Sequence, residues 1–341
     1  MTRRTFIIAE LSANHGGKLD TALESIQVIK KIGADAIKIQ TARSDRITLN
    51  SKKSDFVVSG GTLWDGKTLY ELYQSTHTPW EWHEAIFNEA RKIGLQCFSS
   101  PFDFSAVDLL ESLGNPIYKV ASFEITDIPL IDYIARKGKP IIISTGIATI
   151  EDIELALETC YKAGNRDITL LKCTSAYPAK IEDANLAMIP DMKKRFGVKV
   201  GLSDHSLGHD VAVTAVALGA EVVEKHFILD RTIDSADAEF SMTKDEFAEM
   251  VKAIRNTEAA IGTVKYPSVL SEIKGRQFCR SLYVAENMKK GDIITIENVR
   301  SVRPGYGLHP KYLPVLIGKP VNRDLEKGTR FSLEFIDGVA R

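Results

Sequence analysis

Three histidines in two neighbouring segments have the type and spacing that metal chemistry needs. His205 and His209 stand four residues apart in GLSDHSLGHD, and His226 lies in EVVEKHF. If the two segments are adjacent parallel strands, their ends are about 5 Å apart, and His205 and His226 could share one divalent ion such as Mn²⁺ or Mg²⁺. Asp237 follows downstream as an oxygen ligand or a holder of water. The alternative is two core histidines with satisfied hydrogen bonds. His209 reads better as a surface or capping residue of the next helix.

Lysines and serines form a second group with possible chemistry. Lys38 and Lys119 each lie in a run in which inward and outward residues alternate, so both can point to one interior. Two ammonium groups among hydroxyls favour a small, doubly charged anion such as a phosphate or carboxylate. The alternative is that one lysine is neutralised by Glu10 or Glu124 in a buried ion pair. The serines that follow the apolar runs are Ser100, Ser122, Ser144, Ser175 and Ser203.

The elements that position these residues repeat along the chain. Short apolar, β-branched runs alternate with helix-period segments up to about residue 260, which predicts a (β/α)8 barrel of the TIM type. In such a barrel the polar residues at the carboxyl ends of the strands surround one mouth. A doubly wound open sheet is the structural alternative, but AELSANHGG lacks its glycine fingerprint. The predicted strands are 5–9, 36–40, 96–100, 117–122, 140–145, 167–174, 198–203 and 221–227.

The remainder of the chain predicts a second domain. We assign residues 1–262 to the barrel, 263–277 to a linker, and 278–341 to a small β-rich domain with turns at KKGD and EKGT. So small a core makes docking against another surface plausible.

Composition limits the classes of partner. The chain has 341 residues, and 44 Lys plus Arg balance 45 Asp plus Glu, so no net field attracts nucleic acid. No apolar run approaches the roughly 18 residues of a membrane span, and the N-terminal run is a strand rather than a signal peptide. The four cysteines contain no C-x-x-C pair, which favours reduced thiols in a cytosol. We therefore expect a soluble cytoplasmic enzyme with no nucleic acid and no membrane among its partners.

A set of short motifs along the whole chain resembles the sialic acid synthase family. The motifs are IIAELSANHGG, AIKIQT, FSSPFD, YKVASFE, IISTGIAT, LKCTSAYP, VGLSDHS and EKHF, followed by RSLY, KKGD, SVRPGYGLHP and IGK. The resemblance implies a (β/α)8 barrel followed by a small antifreeze-like (SAF) domain. It also implies a condensation of phosphoenolpyruvate with an acylamino sugar that yields a nine-carbon 2-keto acid. LSANH, SFE and the segment 60–74 are most similar to members whose sugar is 2,4-diacetamido-2,4,6-trideoxy-L-altrose.

The resemblance also implies roles for individual residues. It places the divalent metal ion on His205 and His226, and it assigns Arg303 to the arginine that one subunit's SAF domain inserts into the barrel of its partner in a domain-swapped homodimer. Phosphoenolpyruvate contacts fall on Lys38, Ser100, Lys119, Ser122, Ser144, Ser175 and Ser203, and sugar contacts on Glu10, Gln40, Glu124, Tyr177 and Asp237.

These roles lead to a mechanistic hypothesis with two rivals. We expect the metal to polarise the sugar aldehyde, the two lysines to hold the anion, and Glu124 to act as the general acid or base. One rival is an aldolase in which Lys119 forms a Schiff base. The other is a binding module that senses a sugar. A synthase that uses another acylamino sugar, such as N-acetylmannosamine or the legionaminic-type sugar, also stays open.

Overall fold

Eight parallel strands close into a barrel in the first part of the chain. The structure, a computed structural model, describes residues 4–59, 65–269 and 272–337. Neighbours in sequence pair in order, and β1 also pairs with β8, which closes the sheet. The strands are β1 Phe6–Glu10, β2 Ala36–Thr41, β3 Gln96–Pro101, β4 Tyr118–Val120, β5 Ile141–Ser144, β6 Ile168–Cys173, β7 Lys199–Asp204 and β8 Val222–Ile228. The short β9, Met242–Thr243, adds to β8 through Phe227 and Met242.

Helices cover the outside of the barrel and begin and end where local sequence dictates. Thr149 and Asp152 form a capping box at the start of one helix, and Thr243 and Glu246 form another. Gly33 ends the first helix at φ 88°, a left-handed conformation that favours glycine. The helices of the barrel unit are α1 Leu19–Ile32, α2 Ser44–Ile47, α3 Leu69–Thr76, α4 His83–Lys92, α5 Phe104–Ser112, α6 Ile128–Ala135, α7 Ile150–Lys162, α8 Met188–Phe196, α9 Asp210–Ala217 and α10 Lys244–Ile261. The short helix α11, Leu313–Leu316, belongs to the second unit.

The barrel interior changes from apolar to polar along the strands. A small apolar cluster fills the part of the interior that precedes the polar strand ends, and Ile117 packs against this cluster. Gly201 leaves room there, since a Cβ at this position would lie 2.7 Å from side chains of Leu171 and Val222. A much larger apolar core lies between the strands and the helices. The members of the interior cluster, named here the apolar row, are Ile8, Ala36, Phe98, Ile142, Leu171 and Val222.

A second compact unit follows the barrel, with the division between Thr263 and Val264. Its strands β10 Ser281–Val284 and β11 Val299–Val302 pair antiparallel, and isolated bridges such as Met288 to Leu325 extend the pairing. It has a core of its own, built from residues such as Leu282, Val299 and Phe331.

The predicted barrel is confirmed, and each predicted strand overlaps the observed one. The largest difference is at β4, which ends at Val120, because Ser122–Glu124 form a 3-10 turn. His209 occupies the position before α9, as predicted, but its side chain makes no capping hydrogen bond. Within the described ranges, no helix has the length and apolar character needed to span a membrane. Three predicted stretches include residues outside the described ranges: 60–64 in the segment 60–74, 270–271 within the predicted linker, and 338–341 at the end of the predicted second domain.

Candidate active site

A row of polar residues follows the apolar row, two positions further along each strand. Because side chains on a strand alternate between its two faces, these residues point into the same lumen. Lys119 stands two positions after Ile117 and Ser203 two positions after Gly201 in the same way. We name this set the polar row, and its members are Glu10, Lys38, Ser100, Lys119, Ser144, Cys173, Ser203 and Glu224, all buried.

Lys38 lies between two carboxylates of the polar row. Its Nζ is 2.7 Å from Glu10 Oε2 and 3.8 Å from Glu224 Oε2, and it donates a hydrogen bond to Ser100 Oγ at 3.4 Å. Burial alone would lower the pKa of Lys38, but the charges of Glu10 and Glu224 outweigh burial and hold that pKa above its usual value. Lys38 is therefore a fixed cation, and the pairing with Glu10 that the sequence left open is present.

Lys119 has different surroundings. Its Nζ donates to Ser144 Oγ at 2.7 Å and to the carbonyl of Val120 at 2.9 Å. Burial lowers its pKa, and the nearby charge of Glu224 offsets this in part. Among the described residues no ion pair joins Lys119 to Glu124. The lysine thus sits in a nest of oxygen acceptors, ready to receive an anion as its counter-charge.

The side chains of Ser122, Cys173 and Ser175 converge on the backbone of Gly146, two residues after Ser144. Ser122 Oγ accepts hydrogen bonds from the amide of Ile147 at 3.2 Å and from Ser175 Oγ at 3.0 Å. A Cβ at Gly146 would lie 2.8 Å from Ser122 Oγ and closer still to Ser175 Oγ. Hydroxyls, a backbone amide and an ammonium group so placed form a cradle for the oxygens of a phosphate or carboxylate.

His205 and His226 come together one step above the polar row. Their ring centroids are 5.3 Å apart. His205 Nδ1 donates to the carbonyl of Thr174 at 2.9 Å, so its Nε2 keeps a free lone pair. Burial is the largest cause that lowers the pKa of both rings, and it lowers that of His226 well below the usual value. Burial thus favours the neutral form of both imidazoles, which is the form that binds a metal.

The surroundings of His226 fit a divalent ion. Its Nδ1 is buried and has no hydrogen-bond partner in the described chain, although Asp237 Oδ2 lies 3.6 Å away. Across residues 4–59, 65–269 and 272–337, no group of three or more His, Cys, Asp or Glu side chains is arranged around a common point. The two imidazoles could therefore supply two ligands to a divalent ion, and substrate and water oxygens would have to complete its coordination.

A buried network positions Asp237. Asn14 Nδ2 donates to the carbonyl of Phe227 at 2.9 Å and to Ser241 Oγ at 2.8 Å, and Asn14 Oδ1 accepts from Ser235 Oγ at 2.7 Å. Ser241 Oγ in turn donates to the carbonyl of Asp237 at 2.6 Å. The loop that carries Asp237 is thereby tied to the segment after β1, and burial raises the pKa of the Asp237 carboxyl.

An open cavity of about 230 Å³ extends from these groups. Burial raises the pKa of Glu124 in its wall to about 7, which suits a general acid or base. Gln40 donates to Glu10 Oε1 at 2.9 Å, and the ring of Tyr177 lies 4.4 Å from that of His205. The wall of the cavity also contains apolar side chains from the connections after β2, β3 and β4, named here the apolar wall: Ile47, Leu72, Tyr73, Phe102 and Phe123.

The site also contains residues that were not predicted from the sequence, namely Glu224 and the apolar wall. Glu224 was visible at a strand end, and its spacing of two from His226 was the signal that it shares the lumen. The residues of the apolar wall were not chosen as site residues, although Leu72 and Tyr73 lie in the segment 60–74 and Phe123 in SFE, two of the stretches that carry the resemblance. All eight strands contribute to the polar row, but not every polar residue near a strand end faces the lumen. Ser99, Asp204 and Lys225 point away from the lumen and bond to other strands and turns.

Fourteen of the fifteen predicted site residues lie in the barrel unit. Arg303 lies in the second unit, where it follows β11 and is exposed. The barrel holds the other fourteen, namely Glu10, Lys38, Gln40, Ser100, Lys119, Ser122, Glu124, Ser144, Ser175, Tyr177, Ser203, His205, His226 and Asp237.

Comparison with known proteins agrees with this geometry. The chain is 52% identical to pseudaminic acid synthase of Campylobacter jejuni over 96% of this chain and 95% of that protein. It is 47% identical to pseudaminic acid synthase of Helicobacter pylori over 97% of both chains. The crystal structure of N-acetylneuraminic acid synthetase from Leptospira borgpetersenii in complex with citrate superposes with a TM-score of 0.71 at 31% identity, over 80% of this chain and 90% of that one.

Two sequence families match consecutive parts of the chain. The SAF domain matches residues 280–333. The NeuB family matches residues 25–266, most of the barrel. With the barrel, its polar lumen and these relatives in agreement, the chain belongs to the NeuB family.

Proposed function

We propose that this protein is a pseudaminic acid synthase, a transferase that condenses phosphoenolpyruvate with 2,4-diacetamido-2,4,6-trideoxy-L-altrose and water to give pseudaminic acid and phosphate. The observation that carries the proposal is one barrel lumen that joins an anion cradle to a pair of neutral imidazoles. Identity of about half over nearly the full chain to two synthases of that name supports the choice of sugar.

The anion cradle is the proposed site of phosphoenolpyruvate. Among the described residues Lys119 forms no ion pair with a carboxylate. Its ammonium group donates to Ser144 Oγ, and Ser175 Oγ donates to Ser122 Oγ beside Gly146. Lys38 already forms an ion pair with Glu10. Its positive charge therefore adds to the electrostatic field of the lumen but already has a counter-ion. Phosphate and carboxylate oxygens would replace the contacts that Ser144 and the Val120 carbonyl now make with Lys119.

The chain's residues can then guide a condensation in which every bond is accounted for. C3 of phosphoenolpyruvate attacks the aldehyde carbon of the open-chain sugar, and the aldehyde oxygen takes a proton. Water adds to the cation at C2, and the tetrahedral intermediate loses phosphate by cleavage of its C–O bond. Glu124, with its pKa at about 7, can give or take these protons. A divalent ion on His205 and His226 would supply Lewis-acid polarisation of the aldehyde when bound.

Two assays test the reaction and the sugar. Phosphate release is measured with phosphoenolpyruvate and three acceptors: the diacetamido altrose, the legionaminic-type mannose counterpart and N-acetylmannosamine. We expect a clear preference for the first, and a preference for either of the others overturns the choice of sugar. With ¹⁸O in the bridging position, the label should leave with phosphate. Retention of the label in the keto acid contradicts C–O cleavage.

The aldolase is the second candidate, because burial lowers the pKa of Lys119 and so favours the free amine that forms an imine. Borohydride trapping with pyruvate separates the two reactions. The synthase predicts no covalent adduct, and mass spectrometry of a labelled Lys119 would establish the aldolase.

We further propose a domain-swapped homodimer in the cytoplasm, in which Arg303 of one subunit completes the barrel of the other. Exposed apolar residues on the connections after β2, β4, β5, β6 and β7 support a covered mouth, because a surface of this kind marks interaction sites. They are Leu49, Phe123, Ile147, Ile181 and Leu207. The four cysteines, none of them in a disulfide, suit a reducing compartment.

Subunit mixing tests the swap. Arg303→Ala and Lys119→Met should each be inactive alone. In a swapped mixed dimer, the intact barrel of the first variant receives the intact SAF domain of the second, so about a quarter of the wild-type activity returns. If mixing and exchange restore nothing, Arg303 does not act across subunits.

A further inference from the structure

A buried ion pair lies directly behind the two imidazoles. Asp204 and Lys225 are register partners in the β7–β8 ladder, and Lys225 Nζ is 2.6 Å from Asp204 Oδ2. The Lys225 side chain is 0% exposed and that of Asp204 is 3% exposed. Each residue immediately precedes one of the histidines, His205 and His226. Since side chains alternate along a strand, the ion pair lies on the outer face of the sheet and the imidazoles on the lumen face.

We propose that the Asp204–Lys225 pair is a positioning device that fixes the ends of β7 and β8 so that His205 and His226 meet at one divalent ion. This inference rests on the proposed function, since it assumes that the two imidazoles hold a metal. It adds two residues that contact neither ion nor substrate.

The contacts of Asp204 exclude a role as a third metal ligand. Its Oδ1 accepts hydrogen bonds from the amide of Ser206 at 2.9 Å and from Ser206 Oγ at 2.7 Å, and its Oδ2 faces Lys225. Both oxygens are therefore occupied on the outer face. A carboxylate so held cannot reach an ion in the lumen, although it is adjacent to His205 in sequence.

The same contacts hold the main chain on both sides of His205. Lys225 Nζ also donates to the carbonyl of Ser206 at 2.5 Å, and the amide of Ala179 donates to the carbonyl of His205 at 3.0 Å. On the lumen face, Ser203 Oγ donates to Glu224 Oε1 at 3.1 Å. The two strand ends are thus cross-linked on both faces, which leaves the imidazoles little freedom to separate.

Energetics favour a positioning role over a stabilising one. Removing two charges from water costs several kcal/mol per ion, and well-packed apolar residues in place of a buried pair are often at least as stable. What apolar residues cannot supply is a directional contact that fixes one strand end against the next. Groups that orient metal-binding histidines typically change metal affinity by about 10–100-fold when removed.

The test compares two double variants, each of which replaces the Asp of an ion pair by Asn and the Lys by Met. Asp204→Asn/Lys225→Met removes the cross-strand charge contact but keeps an oxygen that accepts from Ser206. Asp167→Asn/Lys199→Met removes an exposed ion pair of 2.7 Å between the amino-terminal ends of β6 and β7. The histidines follow the carboxyl ends of their strands, so this pair is far from them along the strands. Mn²⁺ alone is titrated into each full-length protein, and free Mn²⁺ is followed by electron paramagnetic resonance. Binding of phosphoenolpyruvate is measured separately by calorimetry in EDTA.

We expect the Asp204/Lys225 variant to bind Mn²⁺ about 10–100-fold more weakly, with phosphoenolpyruvate affinity within twofold of the wild type. The Asp167/Lys199 control should match the wild type in both measurements. Equal Mn²⁺ affinity in a folded Asp204/Lys225 variant overturns the inference, and so does a parallel loss of phosphoenolpyruvate binding, which would indicate a general structural role.

A milder variant decides the matter if the double variant does not fold. Ser206→Ala removes the hydroxyl that donates to Asp204 and leaves the ion pair in place. Loss of a whole group that orients a metal-binding histidine typically weakens metal binding by about 10–100-fold, so this smaller change should lower Mn²⁺ affinity by about threefold or more. Unchanged affinity in Ser206→Ala then overturns the inference. Wild-type protein that binds no Mn²⁺ overturns the proposed metal pair itself and the positioning role with it, an outcome distinct from the others.

Discussion

Replacing Glu124 with glutamine should make the barrel more stable above neutral pH while removing catalysis. Glu124 ends the 3-10 turn after β4, and its Oε2 is buried without a hydrogen-bond partner among the described residues. Burial raises the pKa of this carboxyl from 4.5 to about 7, although the charge of Lys119 works in the opposite direction. The folded protein therefore holds a proton on Glu124 that the unfolded chain releases at lower pH.

The sign and size of the effect follow from proton linkage. Between pH 4.5 and about 7 the folded state binds more protons than the unfolded state, so the free energy of unfolding falls as the pH rises through this range. At about 1.4 kcal/mol for each pKa unit, ionised Glu124 costs at most about 3 kcal/mol of stability at pH 8. Glutamine has the same shape and no charge, so Glu124→Gln should recover up to that amount.

Urea denaturation at pH 5 and pH 8 measures the difference. The variant should exceed the wild type at pH 8 by up to about 3 kcal/mol, and the excess should shrink towards pH 5. Glu111→Gln is the control with the opposite sign. Burial would raise the pKa of Glu111, but hydrogen bonds from Lys139 and Tyr118 outweigh it and lower that pKa, so its removal should reduce stability at pH 8.

Kinetics complete the test. The wild-type rate should show a limb near pH 7, rising with pH if Glu124 is the base and falling if it is the acid, and Glu124→Gln should lack that limb. A stability difference that does not vary with pH, or a limb that persists in the variant, refutes the reasoning about this carboxyl.

Three further predictions concern the cradle, the apolar wall and the imidazoles. Gly146→Ala adds a Cβ against Ser122 and Ser175, and at about 1–3 kcal/mol for such crowding we expect the KM for phosphoenolpyruvate to rise about 10–100-fold, with circular dichroism unchanged. Leu72→Ala removes part of the apolar wall and should raise the KM for the sugar about tenfold; an equal rise in the KM for phosphoenolpyruvate would contradict its place beside the sugar. Because burial lowers the pKa of His226, Mn²⁺ affinity should stay constant from pH 8 to pH 6, and a loss centred near the ordinary histidine value of 6.5 would show an exposed ring.

The repeating pattern of the chain was sufficient to predict the barrel. Apolar runs at regular intervals, separated by helix-period segments, admit few other arrangements. The alternation of side chains along a strand also assigns Lys38 and Lys119 to one lumen from the sequence alone. The residues of the apolar wall were not predicted for one common reason. Leu72 and Tyr73 belong to a connection whose position over the mouth depends on packing with distant parts of the chain.

The sequence by itself determined which side chains can reach the lumen, because strand periodicity and the shared carboxyl edge of parallel strands are local consequences of residue order. Only the tertiary structure decided how their charges are shared. Lys38 pairs with Glu10, Lys119 donates to Ser144 and to the carbonyl of Val120, and Lys225 turns outward to hold Asp204. These choices depend on distances of a few ångströms across neighbouring strands and on exclusion of water, which set pKa values and ion pairs and which no single segment encodes.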